Sequence, residues 1–562
     1  MMIEMPPGWI IMAGALLIPL TKGLLRQGVL LALPLLALAM IWTLPQGASL
    51  QAGFLEYTLS PLDFTPVGKL FATIFSLMVL VGGIYAMRTA STLELAAAFL
   101  YAGSAIGVTS SGDLISLFIY WELMAIGSTA VVWAGASEGA YKASMRYLFM
   151  HLFGGVVLMA GIIWHIQTTG STEFTVLGLQ GPAQWLILIG FLVNAGAPPF
   201  SAWIADAYPE ASPSGAVFLS AFTTKTAVFT LLIAFPGTGI LIPIGCFMIF
   251  YGIIYALLEN DARRILAYSI VNQVGFMVVG IGIGTEMSLN GAAAHAFAHI
   301  IYKALLLMTA GAVLYQTGKR RCSDLGGLFH SMPFTTIYGI IGALAISSFP
   351  FTSGFVSKSM ISSSAAYEHI TWVWFILAAA SAGVFLHAGV KYPWFVFFQK
   401  DSGLRPAEPP RNMQFAMFIF AFLCIAIGVY PQPLYDLLPY PVAYEPYTAD
   451  HLVTQFQLLL FAGLAFFLLL PLMKRTETIS LDFDWFYRKP GLALVKYVLR
   501  SADKSWQGIE RSVKASIKLA IKRSYDDEAG QPKGYFGKLW PTETMVVWVA
   551  VLLVGYLMVY YI

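Results

Sequence analysis

Long apolar runs recur along almost the whole chain, and they constrain its fold more than any other feature. Each run has roughly 17–28 residues, enough for a helix to cross the ~30 Å hydrocarbon layer of a membrane. Hydrophobic residues make up 58% of the 562 residues and charged residues only 11%, which excludes an ordinary soluble protein. We therefore predict an all-α polytopic membrane protein with about 16 transmembrane helices, over residues 8–24, 28–45, 66–87, 92–110, 113–134, 145–168, 183–200, 212–234, 237–258, 264–284, 289–315, 334–365, 372–399, 412–430, 452–473 and 543–561.

The few basic residues indicate which loops face the cytoplasm. Lysine and arginine occur in every second connection, whereas the loops at 46–65, 169–182, 235–237 and 431–451 contain neither. Because basic loops stay in the cytoplasm, this alternation predicts a multi-pass protein of the cell inner (plasma) membrane with both termini outside. The first apolar run lacks a basic leader and a cleavage site, so we expect it to remain as a helix. The basic connections contain Lys22 and Arg26, Arg88, Lys142 and Arg146, Arg263 and Arg264, Lys319 to Arg321, Arg405 and Arg411, and Lys474 and Arg475.

Two of the predicted helices are interrupted. One contains Gly196-Ala197-Pro198-Pro199, and the other reads SSFPFTSG from Ser347 to Gly354. Because proline lacks a backbone donor and glycine weakens a helix, both should unwind within the membrane. Paired broken helices indicate an inverted repeat with an ion site, although each could also be a simple kink.

A basic segment near the C-terminus differs from the rest of the chain. From about Leu492 to Ser524, lysines and arginines alternate with apolar residues at helical spacing. Such an amphipathic helix lies along a membrane surface, and its ~33 residues would extend for roughly 50 Å. It could bind anionic lipid or hold neighbouring subunits together. A last transmembrane span follows from Thr542.

His295, His299 and Lys303 are spaced four residues apart within one apolar run. On a helix they would stack along one face, and ionisable groups inside a membrane typically form an ion pathway or proton relay. Two histidines could instead bind a metal or join helices through hydrogen bonds. Because no cysteine or carboxylate lies close by, we favour the relay and expect no metal and no cofactor.

Further ionisable residues lie inside other apolar runs. Glu122, Lys225 and Lys358 are several turns from the nearest predicted loop. Burial allows such groups to exchange protons near neutral pH, and their depth disfavours simple contact with water. His387 and Lys391 fit a channel and an interfacial position equally well. We expect His151 and His165 to be packing or interfacial residues.

Five motifs occur together in an order and spacing that resemble one membrane-protein family. They are DLISLFIYWEL from Asp113, WIADA from Trp203, NDARRILAYS from Asn260, the His295/His299/Lys303 helix and SGFVSK ending at Lys358. The chain is similar to the proton-translocating, antiporter-like subunits of Mrp-type Na⁺/H⁺ antiporters and of respiratory complex I. The D-type subunit of an Mrp antiporter is the nearest likeness, which covers roughly residues 60–430.

This resemblance implies a fold and a set of residue roles. The fold would be a 14-helix core with two inverted five-helix repeats and two broken helices. Glu122 would lie at a subunit boundary, Lys225 would be the central lysine, and Lys358 the lysine of the second broken helix. His295, His299 and Lys303 would connect them. The expected regions are N-terminal helices 1–91, half-channels 92–234 and 235–400, peripheral helices 401–475, a cytoplasmic-face amphipathic helix 476–541 and a last span 542–562.

Asn194 departs from the family pattern, which usually has a lysine about nine residues before the WIADA motif. Asparagine can hydrogen-bond but cannot carry a proton at neutral pH. Glu122 therefore loses its expected cationic partner, and Arg146 is an alternative one. The candidates for lining the channel are Asp113, Arg146, Asn194, His387 and Lys391.

The leading functional hypothesis is a subunit of a multi-subunit membrane complex that moves H⁺, and exchanges it for Na⁺. One alternative is an antiporter-like subunit of complex I or of a membrane-bound hydrogenase; another is a proton-flux partner in inorganic-carbon uptake. The chain has no cysteine cluster and no nucleotide-binding loop, so we expect a transporter subunit without catalytic chemistry of its own. Expected partners are other membrane subunits and the lipid bilayer, and no nucleic acid.

Overall fold

The computed structural model describes residues 5–45, 47–471, 481–525 and 542–561. They belong to two compact units, Met1–Phe483 and Asp484–Ile562. The first unit contains α1 (Pro7–Leu20), α2 (Gly23–Thr43), β1 (Ser49–Phe54), β2 (Tyr57–Asp63), α3 (Pro66–Ala86), α4 (Thr92–Thr109), α5 (Leu114–Trp133), α6 (Glu138–Thr169), α7 (Pro182–Ala195), α8 (Ala202–Ala207), α9 (Gly215–Leu219), α10 (Thr223–Ala234), α11 (Leu241–Leu258), α12 (Ala262–Ile283), α13 (Glu286–Thr317), α14 (Pro333–Ile346), α15 (Ser353–Tyr367), α16 (Thr371–Val384), α17 (Arg411–Val429), α18 (Gln432–Tyr435) and α19 (Ala449–Leu468). The second unit contains α20 (Asp484–Phe486), α21 (Leu492–Tyr525) and α22 (Thr542–Tyr561).

The helical membrane architecture predicted from the apolar runs is confirmed. Within the described residues, 12 helical stretches are long and apolar enough to cross a membrane. Four shorter apolar helices accompany them, at Pro7–Leu20, Pro182–Ala195, Pro333–Ile346 and Thr542–Met558. Length and composition alone define these spans, so the number of crossings stays a prediction.

Polar and glycine residues delimit the helices that carry the site. Before α5, Asp113 Oδ1 accepts hydrogen bonds from the backbone N–H groups of Ile115 and Ser116 at 2.9 and 2.8 Å. At the C-terminal ends of α6 and α13, Gly170 and Gly318 have φ values of 72° and 67°. Glycine adopts this left-handed conformation without strain and thereby ends a helix.

Both predicted helix breaks are present. α7 ends at Ala195 with Gly196 as its C-cap, and the chain becomes helical again only in α8. Side chains satisfy the carbonyls that this break exposes: Ser201 Oγ donates to Gly196 O at 2.6 Å and Trp203 Nε1 to Val193 O at 3.0 Å. The second break separates α14 from α15. Most residues of the two breaks are buried, whereas Pro199 in the first and Phe351 in the second are exposed.

The prediction of one continuous helix over 212–234 is wrong. The chain leaves the helix at residues 220–222, between α9 and α10. One distant and one local side-chain hydrogen bond stabilise this third break: Tyr101 Oη accepts from Thr223 N at 2.9 Å, and Lys225 Nζ donates to Ser220 O, five residues earlier, at 2.6 Å. Buried side chains thus replace the missing helical hydrogen bonds.

Two further segments differ from the predicted pattern. The predicted loop at 46–65 contains an antiparallel hairpin of β1 and β2. Within the predicted helix at 372–399, the backbone becomes π-helical over Phe385–Lys391 and again over Trp394–Phe398. Such π-segments widen a helix locally and often occur at functional sites.

Helix lengths recur in the same order in two stretches of the first unit. α4, α5, α6 and α7 have 18, 20, 32 and 14 residues, and α11, α12, α13 and α14 have 18, 22, 32 and 14. α7 and α14 also both begin with a proline, Pro182 and Pro333. An internal repeat produces such a correspondence, and the division between 92–234 and 235–400 stays a prediction.

The second unit contains the predicted basic helix. α21 has 34 residues, and at the usual rise per residue such a helix is roughly 50 Å long. Its described side chains between residues 493 and 519 are mostly exposed, as expected for a helix that does not belong to a packed core. Lys474, Arg475 and residues 526–541 lie outside the described residues.

Candidate functional site

Lys225 lies at the third helix break and is fully buried. Its Nζ donates to Ser220 O at 2.6 Å and to Thr224 Oγ1 at 3.1 Å. Both acceptors are uncharged, so they solvate the amine without neutralising a positive charge on it. Lys225 can therefore be held in position in either protonation state.

The predicted stack of ionisable groups is present on α13. His295, His299 and Lys303 are fully buried, and the two imidazole rings lie 6.2 Å apart, centre to centre. Lys303 Nζ donates to Ser269 Oγ at 2.8 Å. Neither ring nitrogen of His299 has a hydrogen-bond partner among the described residues. His299 is thus a buried imidazole with both nitrogens available for proton exchange.

Gln273 and Asn272 of α12 connect His295 to His387 through hydrogen bonds. Gln273 Oε1 lies 3.1 Å from His295 Nε2 and also accepts from Tyr302 Oη at 3.0 Å. Gln273 Nε2 donates to Asn272 Oδ1 at 2.5 Å. Asn272 Nδ2 in turn lies 3.1 Å from His387 Nε2. The chain therefore runs without a gap from His387 to His295.

Ser357 continues this chain towards Lys358. The Ser357 hydroxyl lies 3.2 Å from His295 Nδ1, and Lys358 is the next residue of α15. Lys358 Nζ lies 5.0 Å from the centre of the Phe276 ring and has no hydrogen-bond partner among the described residues. A cation–π contact stabilises a charge less specifically than a hydrogen bond, so the amine can exchange its proton.

Positive charges on Lys225 and on the ionisable side chains of α13 repel one another. Lys225 lies on α10, which packs against α13, the helix that carries His295, His299 and Lys303. Like charges repel strongly where the dielectric constant is low. A proton held at one of these groups therefore disfavours a proton at the next, which suits transfer one step at a time.

Glu122 is less enclosed than predicted. Its side chain on α5 is half-buried, while Ile119 and Ile126, one turn before and after it, are 44% and 55% exposed. Residues at this spacing share one helix face. Glu122 Oε1 nevertheless packs against α6, since a Cβ added at Gly155 would lie 2.1 Å from it. Glu122 therefore connects an apolar outer surface to the interior.

Arg146 pairs with a carboxylate of α8. It forms a bidentate pair with Asp206, with Nε–Oδ2 and Nη2–Oδ1 distances of 2.7 and 2.8 Å. This geometry is the strong form of an arginine–carboxylate interaction. It joins α6 to α8 behind the first helix break, and Glu122 Oε1 has no partner among the described residues.

Asp113 and Lys391 both hold backbone groups. Besides capping α5, Asp113 accepts from Ser60 N at 2.7 Å. Lys391 Nζ donates to the carbonyl groups of Ala256, Leu257 and Glu259 at 3.1, 2.6 and 2.7 Å. These carbonyls lie at the C-terminal end of α11, which a cation stabilises. The structure therefore gives both residues a structural role, while His387 belongs to the chain of side chains.

Asn194 lies in the first half and is hydrogen-bonded to His151. Asn194 is fully buried, and its Oδ1 lies 2.8 Å from His151 Nδ1. Because Oδ1 is an acceptor, His151 Nδ1 must carry the hydrogen. We expected His151 to be a packing or interfacial residue and did not predict its hydrogen bond to Asn194. His165, by contrast, lies further along α6 and pairs with Gln184 at 3.1 Å.

Neutral polar residues are the part of the site that the sequence reasoning missed. Asn272, Gln273 and Tyr302 connect the histidines, and Ser269 holds Lys303. Two adjacent amides within one apolar span were the available signal, because amides in a membrane helix need partners on other helices. No group of three or more His, Cys, Asp or Glu side chains is placed to hold a metal ion in the part of the chain that the structure describes.

Comparison with known proteins identifies the type of domain. Residues 111–385 match the family described as NADH:quinone oxidoreductase/Mrp antiporter, transmembrane region. A Na⁺/H⁺ antiporter subunit of the D type, from Alkalihalophilus pseudofirmus, is 29% identical over 329 residues, which cover 53% of this chain and 66% of that protein. The resemblance deduced from the five motifs is confirmed.

Two solved structures share the fold. The Mrp complex from a Dietzia species contains a chain that matches with a TM-score of 0.69 at 18% identity, covering 83% of this chain and 99% of that one. An archaeal membrane-bound sulfane sulfur reductase contains a chain with a TM-score of 0.72 at 21% identity, covering 98% and 100%. At such identities the likeness concerns the fold alone, and both neighbours come from multi-subunit membrane complexes.

Proposed function

Because the chain contains an antiporter-like domain of the NADH:quinone oxidoreductase/Mrp antiporter family, we propose that it translocates protons as one subunit of a multi-subunit membrane complex. The observation that carries this proposal is the unbroken chain of buried side chains from His387 to His295. Two further buried amines, those of Lys225 and Lys303, donate hydrogen bonds to uncharged acceptors. The proton-carrying residues would be Glu122, Lys225, His295, His299, Lys303 and Lys358.

Protons move through this arrangement by alternate occupancy. A proton on Lys225 repels one on His299 or Lys303, so arrival on one side favours departure on the other. In the second half, Gln273 and Asn272 hold His295 and His387 in hydrogen-bonded positions, and Lys358 lies beside Ser357. Lys391 and Asp113 shape the pathway through the backbone groups that they hold.

We propose that a neighbouring subunit covers the outer face around Glu122. Half-burial of a carboxylate among exposed isoleucines is unfavourable in lipid, whereas a partner chain could cover it and exchange protons with it. The transported cation besides H⁺ is proposed as Na⁺, in line with the Na⁺/H⁺ antiporter relative from Alkalihalophilus pseudofirmus. A role beside redox subunits is the second candidate, favoured by the fold match to a respiratory sulfane sulfur reductase.

The orientation follows from the basic loops. We propose that these loops face the cytoplasm of the inner membrane, that both termini lie outside, and that α21 lies along the cytoplasmic face. The half-channels would comprise 92–234 and 235–400, between the N-terminal helices 1–91 and the peripheral helices 401–475.

The test is purification of the complex through a tag on this chain, identification of the accompanying subunits by mass spectrometry, and measurement of proton flux in vesicles. We expect an imposed Na⁺ gradient to drive proton movement, and Lys225→Ala to abolish it. Proton movement driven only by a redox substrate would favour the second candidate. A purified chain without partners and without proton flux would contradict the proposal.

A further inference from the structure

His151 is a buried ionisable residue that the proposed pathway does not use. It is 2% exposed, and its Nδ1 donates to Asn194 Oδ1 at 2.8 Å. The other ring nitrogen, Nε2, is left as an acceptor, and no described residue hydrogen-bonds to it. Buried polar atoms are normally paired, so an unpaired imidazole nitrogen in this position calls for a functional explanation.

Glu122 and Asn194 approach the same stretch of α6. Gly155 lies one turn after His151 on the same helix face, and a Cβ there would lie 2.1 Å from Glu122 Oε1. A Cβ at the adjacent Gly154 would lie 3.8 Å from Asn194 Oδ1. Glu122 Oε1 and Asn194 Nδ2 also lack hydrogen-bond partners among the described residues. Side chains of α5 and α7 that carry unpaired polar atoms therefore pack against two consecutive glycines of α6, one turn from His151.

Tyr147 extends this cluster towards Lys225. The rings of Tyr147 and His151 are 4.1 Å apart, and Tyr147 Oη lies 3.3 Å from Thr223 Oγ1. Thr223 begins α10, two residues before Lys225. The uncharged Trp203 of α8 packs against both rings, with its centre 4.7 Å from the imidazole and 5.3 Å from the Tyr147 ring. His151 thus lies between Glu122 and the start of the helix that carries Lys225.

The position of His151 repeats that of His299. The two residues each lie 13 positions after the first residue of a 32-residue helix, Glu138 for α6 and Glu286 for α13. Both imidazoles are buried, and both have an unpaired ring nitrogen. Four residues further, α13 carries Lys303, whereas α6 carries Gly155 and the carboxyl group of Glu122 packs there.

We propose that His151 carries protons between Glu122 and Lys225 in the first half of the pathway, and that Asn194 holds its ring. The Glu122 carboxyl group gives its proton to Nε2, and the imidazolium keeps its Nδ1–H bond to Asn194. The imidazolium then releases its Nε2 proton towards the neutral Lys225 amine, which leaves the neutral ring with its hydrogen on Nδ1. The reverse sequence moves protons the other way. This inference rests on the proposed function, since it assigns a residue to that pathway.

The test compares His151→Asn with the exchanged pair His151→Asn/Asn194→His in reconstituted vesicles. In both variants the side chains at positions 151 and 194 can still form a hydrogen bond between α6 and α7. Only the exchanged pair keeps a titratable ring, now at position 194. We expect His151→Asn to lower proton transport on the order of tenfold or more, and the exchanged pair to recover most of it. The matched control is His165→Gln on the same helix, which should transport at the wild-type rate.

The outcomes separate this inference from the proposed function. Wild-type transport by His151→Asn would overturn the inference alone, because a structural role needs only the hydrogen bond. Equal loss in both variants would also overturn it. Absence of proton flux in the wild-type complex would instead contradict the proposed function. If His151→Asn does not assemble, the exchanged pair decides: an assembled, active complex supports the proposal and an assembled, inactive one overturns it.

Discussion

Replacing Gln273 by leucine removes the central link of the buried chain. Gln273 forms three hydrogen bonds, to Asn272 Oδ1, Tyr302 Oη and His295 Nε2. Each buried group left without a partner costs about 1–3 kcal/mol. Tyr302 Oη already lies 3.3 Å from His295 Nε2, so these two can pair with each other. The cost then falls on Asn272 Oδ1, and we expect a destabilisation of about 2 kcal/mol.

Proton transport should fall much further than stability. Leucine forms no hydrogen bond, so Gln273→Leu no longer holds His295 in the chain that leads to His387 and should lower flux on the order of tenfold or more. The assay is dye-reported acidification of vesicles that contain equal amounts of assembled complex, beside thermal unfolding of the same samples. Gln273→Glu retains the acceptor atoms and should transport better than the leucine variant. Wild-type flux in an assembled Gln273→Leu complex would refute the continuous pathway.

Lys225→Arg should fail nearly as completely as Lys225→Ala, because arginine does not release its proton; normal pH changes in vesicles with the arginine variant would show that Lys225 is a fixed charge. Arg146→Met leaves Asp206, whose side chain is 8% exposed, without its bidentate partner. We expect a loss of about 3 kcal/mol in stability, seen as a lower unfolding temperature and yield, and Arg146→Lys should restore part of it. Unchanged stability in the methionine variant would contradict the structural role of the pair.

The periodic features of the chain could be predicted from its sequence. His295, His299 and Lys303 align because any helix places residues four apart on one face, and the surrounding apolar residues strongly favoured a helix. The breaks at Gly196 and Pro350 were equally predictable, since glycine and proline disrupt a helix locally. In each case the cause lies within a few residues of the feature.

The remaining features depend on distant residues. No proline or glycine occurs at 220–222, and the break there is stabilised by Tyr101, which lies 122 residues from Thr223 in sequence. Gln273 meets His295 only because α12 packs on α13. The bond between His151 and Asn194 similarly depends on the packing of α6 on α7. Such contacts between helices leave no local pattern.

The exposure of Glu122 is a second property that the sequence could not predict. Its position within an apolar run indicated deep burial, but its helix face is half-open in the isolated chain. An apolar run is predicted in the same way whether lipid, the same chain or another subunit covers it. The position of Glu122 within an apolar run therefore did not show how much of this carboxylate the chain itself covers.

The most direct test of the account is proton flux in vesicles that contain the assembled Lys303→Ala complex, measured beside wild type and His299→Ala. Lys303 is fully buried, and it lies one turn from His299 on the helix that α10 contacts. If protons pass through these groups in series, both variants should assemble normally and lose flux on the order of tenfold or more. Wild-type flux through an assembled Lys303→Ala complex would contradict the account.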